Sequence, residues 1–267
     1  MTQRLPAVFL TIALLAGAGS VGLAVDRAHR AAAAAHAPDP TVSNIVATAP
    51  TATPEPSPSA APTPTPAPTP LPASVLIKVP YTSQAPLGWS GHPEYEEFCE
   101  AAAVLMTGRY YRGDARETIP GPEADQALRQ IVAYERGAFP GVLDLNLTNV
   151  SNVGAQVYQL DSTVAPATPD SIRQELANGH PVIIPVMTHG LAGGRAIAPF
   201  YGVGNVYHVI LLKGYDTQKG LYYSNDAGFT QGENYAYTWD ILATAMDAQA
   251  AKMGQGRLML VFKPKAA

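Results

Sequence analysis

Hydrophobic and polar positions divide the chain into three parts. Residues 5–25 contain no charged side chain, and this run is about as long as the ~20 residues that cross a bilayer. Residues 36–73 have no periodic apolar pattern, because proline alternates there with threonine, alanine and serine. Apolar residues recur with strand and helix periods only from residue 74 onward. We therefore predict one folded domain, residues 74–267.

The periodic patterns within this domain predict helices that are followed by strands. Helical spacing predicts four helices, at 95–111, 122–136, 148–160 and 169–178. Thr148 and Thr168 are the expected N-caps of the third and fourth helices, and Gly137 is expected to end the second. Apolar, β-rich runs predict strands at 75–81, 181–187, 206–216, 220–228 and 256–264. This order indicates an α+β fold in which helices pack on one side of an antiparallel β-sheet.

The first 73 residues are expected to determine where in the cell the domain lies, and they are not expected to form part of its fold. Residues 1–35 are interpreted as a long signal peptide or as an uncleaved membrane anchor with a short flank, and a buried helix is the third alternative. Residues 36–73 are predicted to be a disordered Pro/Thr/Ala-rich stalk, although an inert tail fits the composition as well. Since Thr/Pro-rich stalks are typical of extracellular surfaces, we expect an extracytoplasmic domain, secreted or anchored through residues 5–25.

Composition and motifs exclude several classes of protein. A single cysteine among 267 residues forms no internal disulfide and no thiolate zinc site. A formal net charge of −4 gives no electrostatic basis for nucleic-acid binding. The sequence has no phosphate-binding loop, dinucleotide fingerprint or Gly-x-Ser-x-Gly motif. His180 and His189 lack the spacing of zinc peptidases. We therefore expect no metal and no cofactor.

Cys99 is the first candidate for chemistry, because it lies near the start of the predicted helix 95–111. The helix dipole and the free N–H groups of a first turn lower the pKa of a thiol there. Glu96, Glu97 and Glu100 would instead raise that pKa if they face the sulfur. The alternative interpretation is a small buried hydrophobic residue on the apolar face of the helix.

His208 is the second candidate, because it interrupts an otherwise apolar predicted strand. The next strand ends in Asn225-Asp226, and either side chain could orient the imidazole ring. Gln84, in the loop before the cysteine helix, could donate an amide hydrogen to an oxyanion beside Cys99. A buried structural histidine is the alternative for His208.

Two further residues are candidates for contact with a substrate. Trp89 could line a cleft beside the cysteine helix or pack in the core. His189 lies in a glycine-rich stretch that is either a flexible surface loop or a lid flanking the cleft.

The order Gln84, Cys99, His208, Asn225/Asp226 resembles that of papain-superfamily cysteine peptidases. It is most similar to the stand-alone branch of the double-glycine (bacteriocin-processing) peptidase-like family. The matching segments are VPYTSQAPLGW at 79–89, EEFCEAAAVLM at 96–106, ALRQIVAYE at 127–135, NGHPVIIPV at 178–186, HVILLKGYD at 208–216 and YYSNDAG at 222–228. Ala227 stands where the family has proline, and Glu100 stands where processing peptidases have glycine.

This resemblance implies a papain-like fold and a role for each site residue. Cys99 would be the nucleophile, His208 the general base and acid, Asp226 the orienting group and Gln84 the oxyanion donor. The substrate would be a peptide or protein, with cell-wall peptides as one candidate class, and the enzyme would act as a monomer. A non-catalytic cell-wall or protein-binding module and a peptidoglycan peptide amidase are the alternative functions.

Overall fold

The computed structural model describes residues 70–190, 196–202 and 204–265, which belong to one compact unit. The predicted signal peptide or anchor at 1–35 and residues 36–69 of the predicted stalk lie outside the described residues. Within the described ranges, no helix is both long and apolar enough to cross a bilayer.

The described residues form five α-helices, a short 3₁₀ helix and seven strands. In chain order they are β1 (Ser74–Leu76), the 3₁₀ helix (Pro93–Glu97), α1 (Cys99–Tyr111), α2 (Gly121–Ala138), α3 (Leu147–Tyr158), β2 (Leu160–Pro166), α4 (Pro169–Ala177), β3 (Val182–Met187), β4 (Tyr207–Asp216), β5 (Leu221–Asn225), β6 (Glu233–Thr238), α5 (Trp239–Met253) and β7 (Leu258–Pro264).

The seven strands pair antiparallel in one sheet, and the predicted α+β class is confirmed. The strand order is β2-β7-β3-β4-β5-β6, and β1 pairs with β4 outside this path. All positions of β3 are buried, as are the eight inner positions of β4. A strand covered on one face only would alternate between buried and exposed residues. Both faces of the sheet centre are therefore covered.

Local hydrogen bonds explain where two of the helices begin. The predicted start of α4 is confirmed, because Thr168 accepts from the Ser171 N–H and forms a capping box with that residue. The predicted N-cap Thr148 is wrong. Asn146 caps α3 instead, and its side-chain oxygen accepts from the Asn149 N–H at 3.0 Å, so the helix begins at Leu147.

Two predicted elements are shorter than expected. The strand predicted at 75–81 ends at Leu76, because the chain turns where the Val79 N–H donates to the Ile77 carbonyl at 3.0 Å. The apolar alternation that suggested a longer strand reflects burial of Ile77, Val79 and Tyr81 in the core. The helix predicted at 95–111 is divided at Phe98 into the 3₁₀ helix and α1.

Candidate active site

The fold brings Cys99 and His208 to a single cavity of about 550 Å³. Cys99 is the first residue of α1, and α1 packs against β4, where His208 is the second residue. Both residues are 4 % exposed. Gln84 and Trp89 also line the cavity, so the segment 84–99 and the start of β4 meet where the sequence predicted a cleft.

His208 is held by a buried carboxylate. Its Nε2 lies 2.8 Å from Oδ1 of Asp226, which follows the last residue of β5. The same oxygen accepts from the Tyr201 hydroxyl at 2.7 Å and from the Gly228 N–H at 3.0 Å. The other carboxylate oxygen accepts from the Tyr237 hydroxyl at 2.6 Å. Because Nε2 is engaged by Asp226, the Nδ1 atom of the ring remains for another partner.

These contacts keep the carboxyl group of Asp226 ionised although it is fully buried. Burial alone would raise its pKa, but the charge of His208 and the hydrogen bonds from His208, Tyr237 and Tyr201 outweigh that effect and lower the pKa. Desolvation, followed by the charge of Asp226, in turn raises the pKa of Tyr237. The site is therefore built to hold one negative charge beside the imidazole.

Asn225, the alternative orienting residue, points elsewhere. Its Nδ2 donates to the Val79 carbonyl at 3.0 Å. Since successive residues of a strand point in opposite directions, Asn225 and Asp226 are not expected to face the same partner. Of the two alternatives left open by the sequence, the geometry brings only Asp226 to His208.

The Cys99 thiol donates to a carboxylate rather than to His208. Its Sγ lies 2.9 Å from Oε2 of Glu100, which is 2 % exposed. Burial, followed by the charge of Glu100 and this hydrogen bond, raises the pKa of the thiol well above its ordinary value. The Val209 N–H acts in the opposite direction. Burial and the charge of Glu100 thus outweigh the lower thiol pKa expected from the helix start, and the charge of Glu135 raises this pKa further.

Gln84 reaches the cavity, but its amide hydrogens have other acceptors. Nε2 donates to the carbonyls of Tyr95 at 2.8 Å and Glu96 at 3.2 Å. The Gln84 N–H donates to the Ala227 carbonyl at 2.8 Å, so this loop is tied to the segment that carries Asp226. The role of Gln84 as an oxyanion donor stays a prediction.

The two predicted substrate-contacting residues lie in different cavities. Trp89 is 40 % exposed and lines the cavity of Cys99. His189 lines a second cavity of about 490 Å³, together with residues of α5 such as Asp240 and Ile241. His189 is not among the residues that line the Cys99 cavity, and its role as part of a lid beside the cleft stays a prediction. Within the described ranges, no three His, Cys, Asp or Glu side chains gather as a metal site.

Sequence reasoning missed the tyrosines of this site. Tyr201 and Tyr237 hold Asp226, yet nothing in the sequence distinguishes them from the other tyrosines of the chain. Tyr207 also escaped notice, although it directly precedes His208. Its hydroxyl donates to the Leu145 carbonyl at 2.6 Å. Only that adjacency to a candidate residue could have singled it out.

Comparison with known proteins identifies a matching family and similar solved structures. A family model described as Peptidase_C39 like family matches residues 76–253. The chain is similar to a solved structure of a candidate C39-like peptidase from Bacillus anthracis, with 14 % identity, a TM-score of 0.44 and coverage of 72 % of this chain and 99 % of that one. It is also similar to xylellain, a cysteine protease from Xylella fastidiosa, with 15 % identity, a TM-score of 0.44 and coverage of 73 % and 87 %. A comparison with curated proteins finds no match.

Proposed function

This chain belongs to the Peptidase_C39-like family of peptidases, and we propose that it is an extracytoplasmic cysteine peptidase whose catalytic residues are Cys99, His208 and Asp226. One observation supports this assignment above the others. The chain's single cysteine shares a cavity with a histidine whose Nε2 is bound at 2.8 Å to a buried carboxylate. A nucleophile, a base and an orienting group are the set that thiol hydrolysis needs.

The proposed reaction begins when the Cys99 sulfur attacks the carbonyl carbon of a peptide bond. The thiol proton passes to Nδ1 of His208, while Asp226 on Nε2 stabilises the imidazolium. His208 then gives this proton to the leaving amine, and an acyl group remains on the sulfur. A water molecule, deprotonated by His208, hydrolyses the thioester and restores the thiol.

The oxyanion of the tetrahedral intermediate needs hydrogen-bond donors near the sulfur. N–H groups of the first turn of a helix have no acceptor within that helix, and Cys99 begins α1. We propose that these groups act together with Gln84, whose Nε2 would exchange a carbonyl acceptor for the oxyanion.

The proposed location rests on the composition of the first 73 residues. The uncharged run at 5–25 and the proline-rich run at 36–73 support an anchor or signal peptide followed by a stalk. Digestion of intact cells with an added protease tests this proposal. Loss of the domain from intact cells, or its recovery from the medium, would support it, whereas protection until lysis would contradict it.

Digestion of a peptide library by the full chain tests the proposed activity. We expect the wild type to cleave a subset of peptides and Cys99→Ala to cleave none, with both proteins unfolding at similar temperatures. A library left intact by the wild type would refute the peptidase assignment and favour a non-catalytic binding module. Release of amines only from peptidoglycan-derived peptides would instead define the enzyme as a peptidoglycan peptide amidase.

A further inference from the structure

Glu100 is a buried acidic residue beside the nucleophile that the proposed reaction does not use. It is 2 % exposed, whereas the next five residues of α1, Ala101 to Leu105, are buried and apolar. A carboxylate in such surroundings costs free energy unless hydrogen bonds satisfy it. An apolar residue would serve the packing of α1 better, so the position of Glu100 calls for a reason other than stability.

Both carboxylate oxygens of Glu100 have defined partners. Oε2 accepts from the Cys99 thiol at 2.9 Å, and Oε1 accepts from the Leu145 N–H at 2.8 Å. The carbonyl of Leu145 in turn accepts from the Tyr207 hydroxyl at 2.6 Å. Tyr207 directly precedes His208 in β4. The backbone of Leu145 therefore links Glu100, which follows Cys99, with Tyr207, which precedes His208. The hydrogen bond from its N–H fixes the direction of the Glu100 carboxylate.

The charged groups around Glu100 are mainly acidic. Glu135 of α2 is 7 % exposed, and burial, followed by the charge of Glu100, raises its pKa to about 8. Asp144, in the segment before α3, also acts on Glu100 as a like charge. Asp144 has a cationic partner, Lys252 of α5, at 3.5 Å. Arg136 faces Glu135 and acts on that group as an opposite charge.

Within this acidic cluster, Glu100 is the group that accepts the hydrogen bond of the Cys99 thiol. Below pH 8, the carboxyl group of Glu135 holds its proton. Burial raises the pKa of Glu100, whereas the hydrogen bonds from the Cys99 thiol and the Leu145 N–H lower it. Both oxygens of Glu100 accept hydrogen bonds, an arrangement that the carboxylate form satisfies fully. The resulting negative charge, 2.9 Å from Sγ, opposes a second negative charge on the sulfur.

We propose that Glu100 is a positioning residue of the Cys99 site, which keeps the proton on the thiol of the free enzyme and directs that thiol through the hydrogen bond to its carboxylate. This inference rests on the proposed function, because it assumes that Cys99 is the nucleophile. Cys99 then exists as a thiol until a substrate binds, and proton transfer to His208 accompanies the attack. A buried thiol of this kind also resists oxidation between turnovers, since oxidants react with the thiolate.

The pH dependence of thiol alkylation tests this role of Glu100. Iodoacetamide modifies the thiolate, and the full chain has one cysteine, so mass spectrometry of the intact protein reports on Cys99 alone. For the wild type we expect a rate–pH midpoint above the value of about 8.5 for a free thiol. For Glu100→Gln, which removes the charge and introduces amide donors, we expect the midpoint to fall by about 1–3 pH units.

Two matched variants serve as controls. Glu97→Gln removes a carboxylate that lines the same cavity without a hydrogen bond to the thiol, and its midpoint should equal that of the wild type. Glu100→Asp keeps the charge and should retain most of the raised midpoint. Thermal unfolding of each variant reports whether it has folded.

The outcomes separate this inference from the proposed function. A midpoint of Glu100→Gln within about 0.3 pH units of the wild type, or an equal decrease for Glu97→Gln, would overturn the role of Glu100 even if the wild type cleaves peptides. A wild-type midpoint below the free-thiol value of about 8.5 would overturn it without any variant. Alkylation requires no substrate, so a failure to cleave peptides would leave this measurement intact.

Discussion

Asp226→Asn isolates the charge of the group that orients His208. In the structure, Oδ1 of Asp226 accepts three hydrogen bonds, whereas Oδ2 accepts one, from the Tyr237 hydroxyl at 2.6 Å. An asparagine can keep its oxygen at the Oδ1 position and place its amide nitrogen toward Tyr237. A hydroxyl group can turn to accept from that nitrogen. The substitution therefore removes the negative charge while it keeps the side-chain shape.

The expected magnitude follows from the hydrogen bond at 2.8 Å between His208 and Asp226. A hydrogen bond to a charged group contributes about 1.5–3 kcal/mol, compared with about 0.5–1.5 kcal/mol for a neutral pair. Loss of the charge thus removes about 1–2 kcal/mol from the imidazolium form of His208. This corresponds to a loss of about tenfold in kcat/KM.

The assay is the pH profile of kcat/KM for a peptide identified in the library digest. We expect the acid limb of Asp226→Asn to lie about one pH unit below that of the wild type. Tyr237→Phe is the matched control, since it removes one hydrogen bond from the carboxylate and keeps the charge, so its acid limb should move less. An unchanged acid limb and an unchanged kcat/KM in Asp226→Asn would refute the idea that this charge stabilises the imidazolium.

Stability against pH provides an independent readout of the same charge. The folded state lowers the pKa of Asp226, so its contribution to the free energy of unfolding is present above the unfolded value of about 3.9. That contribution is lost as the pH falls through the folded pKa. Asp226→Asn should therefore lose less stability than the wild type on acidification, as measured by urea unfolding. An equally steep acid loss in both proteins would contradict this assignment.

Three further substitutions have expected outcomes. Gln84→Ala should lower kcat by about 10²-fold with little change in KM, if its amide binds the oxyanion; equal kcat values in steady-state assays would refute that role. Glu135→Gln should raise the free energy of unfolding at pH 9 by at most about 5 kcal/mol and change it little at pH 4, because the folded state raises the pKa of Glu135 to about 8. Urea unfolding at both pH values measures this difference. Equal stability of the variant and the wild type at pH 9 would contradict it. Gly154→Ala should destabilise the domain by about 1–3 kcal/mol, since a Cβ there would lie 2.2 Å from the Phe262 ring; an unchanged midpoint in thermal unfolding would show that the ring moves aside.

The sequence predicted the strands and helices whose residues alternate or repeat clearly. The apolar run of β4 and the capped start of α4 are examples, because the first pattern is typical of a buried strand and the second of a helix N-terminus. It did not predict β2, whose LDSTVAP sequence is mostly polar or small and which is largely exposed in the structure. Its ladder with β7 is a contact between residues about 100 positions apart, which no local pattern encodes.

β6 and α5 were missed for a related reason, although the C-terminal strand β7 was predicted. β6 is half-exposed and α5 is rich in alanine, so neither has a marked contrast between apolar and polar faces. Both elements follow β5, the strand that ends at Asn225, directly before Asp226. Their tertiary contacts, rather than their periodicity, determine their structure.

The proposed catalytic residues could be named from the sequence, but the tyrosines around them and the arrangement of protons could not. Cys99, His208 and Asp226 could be named because their chemistry and order are distinctive. The hydrogen bond from Cys99 to Glu100 depends on the direction in which the buried Glu100 side chain points. The sequence shows only that the two residues are adjacent. The choice of Asp226 over Asn225 likewise depends on which residue at the end of β5 faces the imidazole.

Trapping of the acyl-enzyme tests directly whether Cys99 is the nucleophile of a peptidase. The wild type would be mixed with a cleaved peptide, quenched in acid within a turnover and analysed by peptide mass spectrometry. We expect the mass of the acyl fragment on the peptide that contains Cys99, and no such mass in Cys99→Ala, which should not cleave. Cleavage by Cys99→Ala at the rate of the wild type, or an acyl group on a different residue, would refute the assignment of Cys99 as the nucleophile.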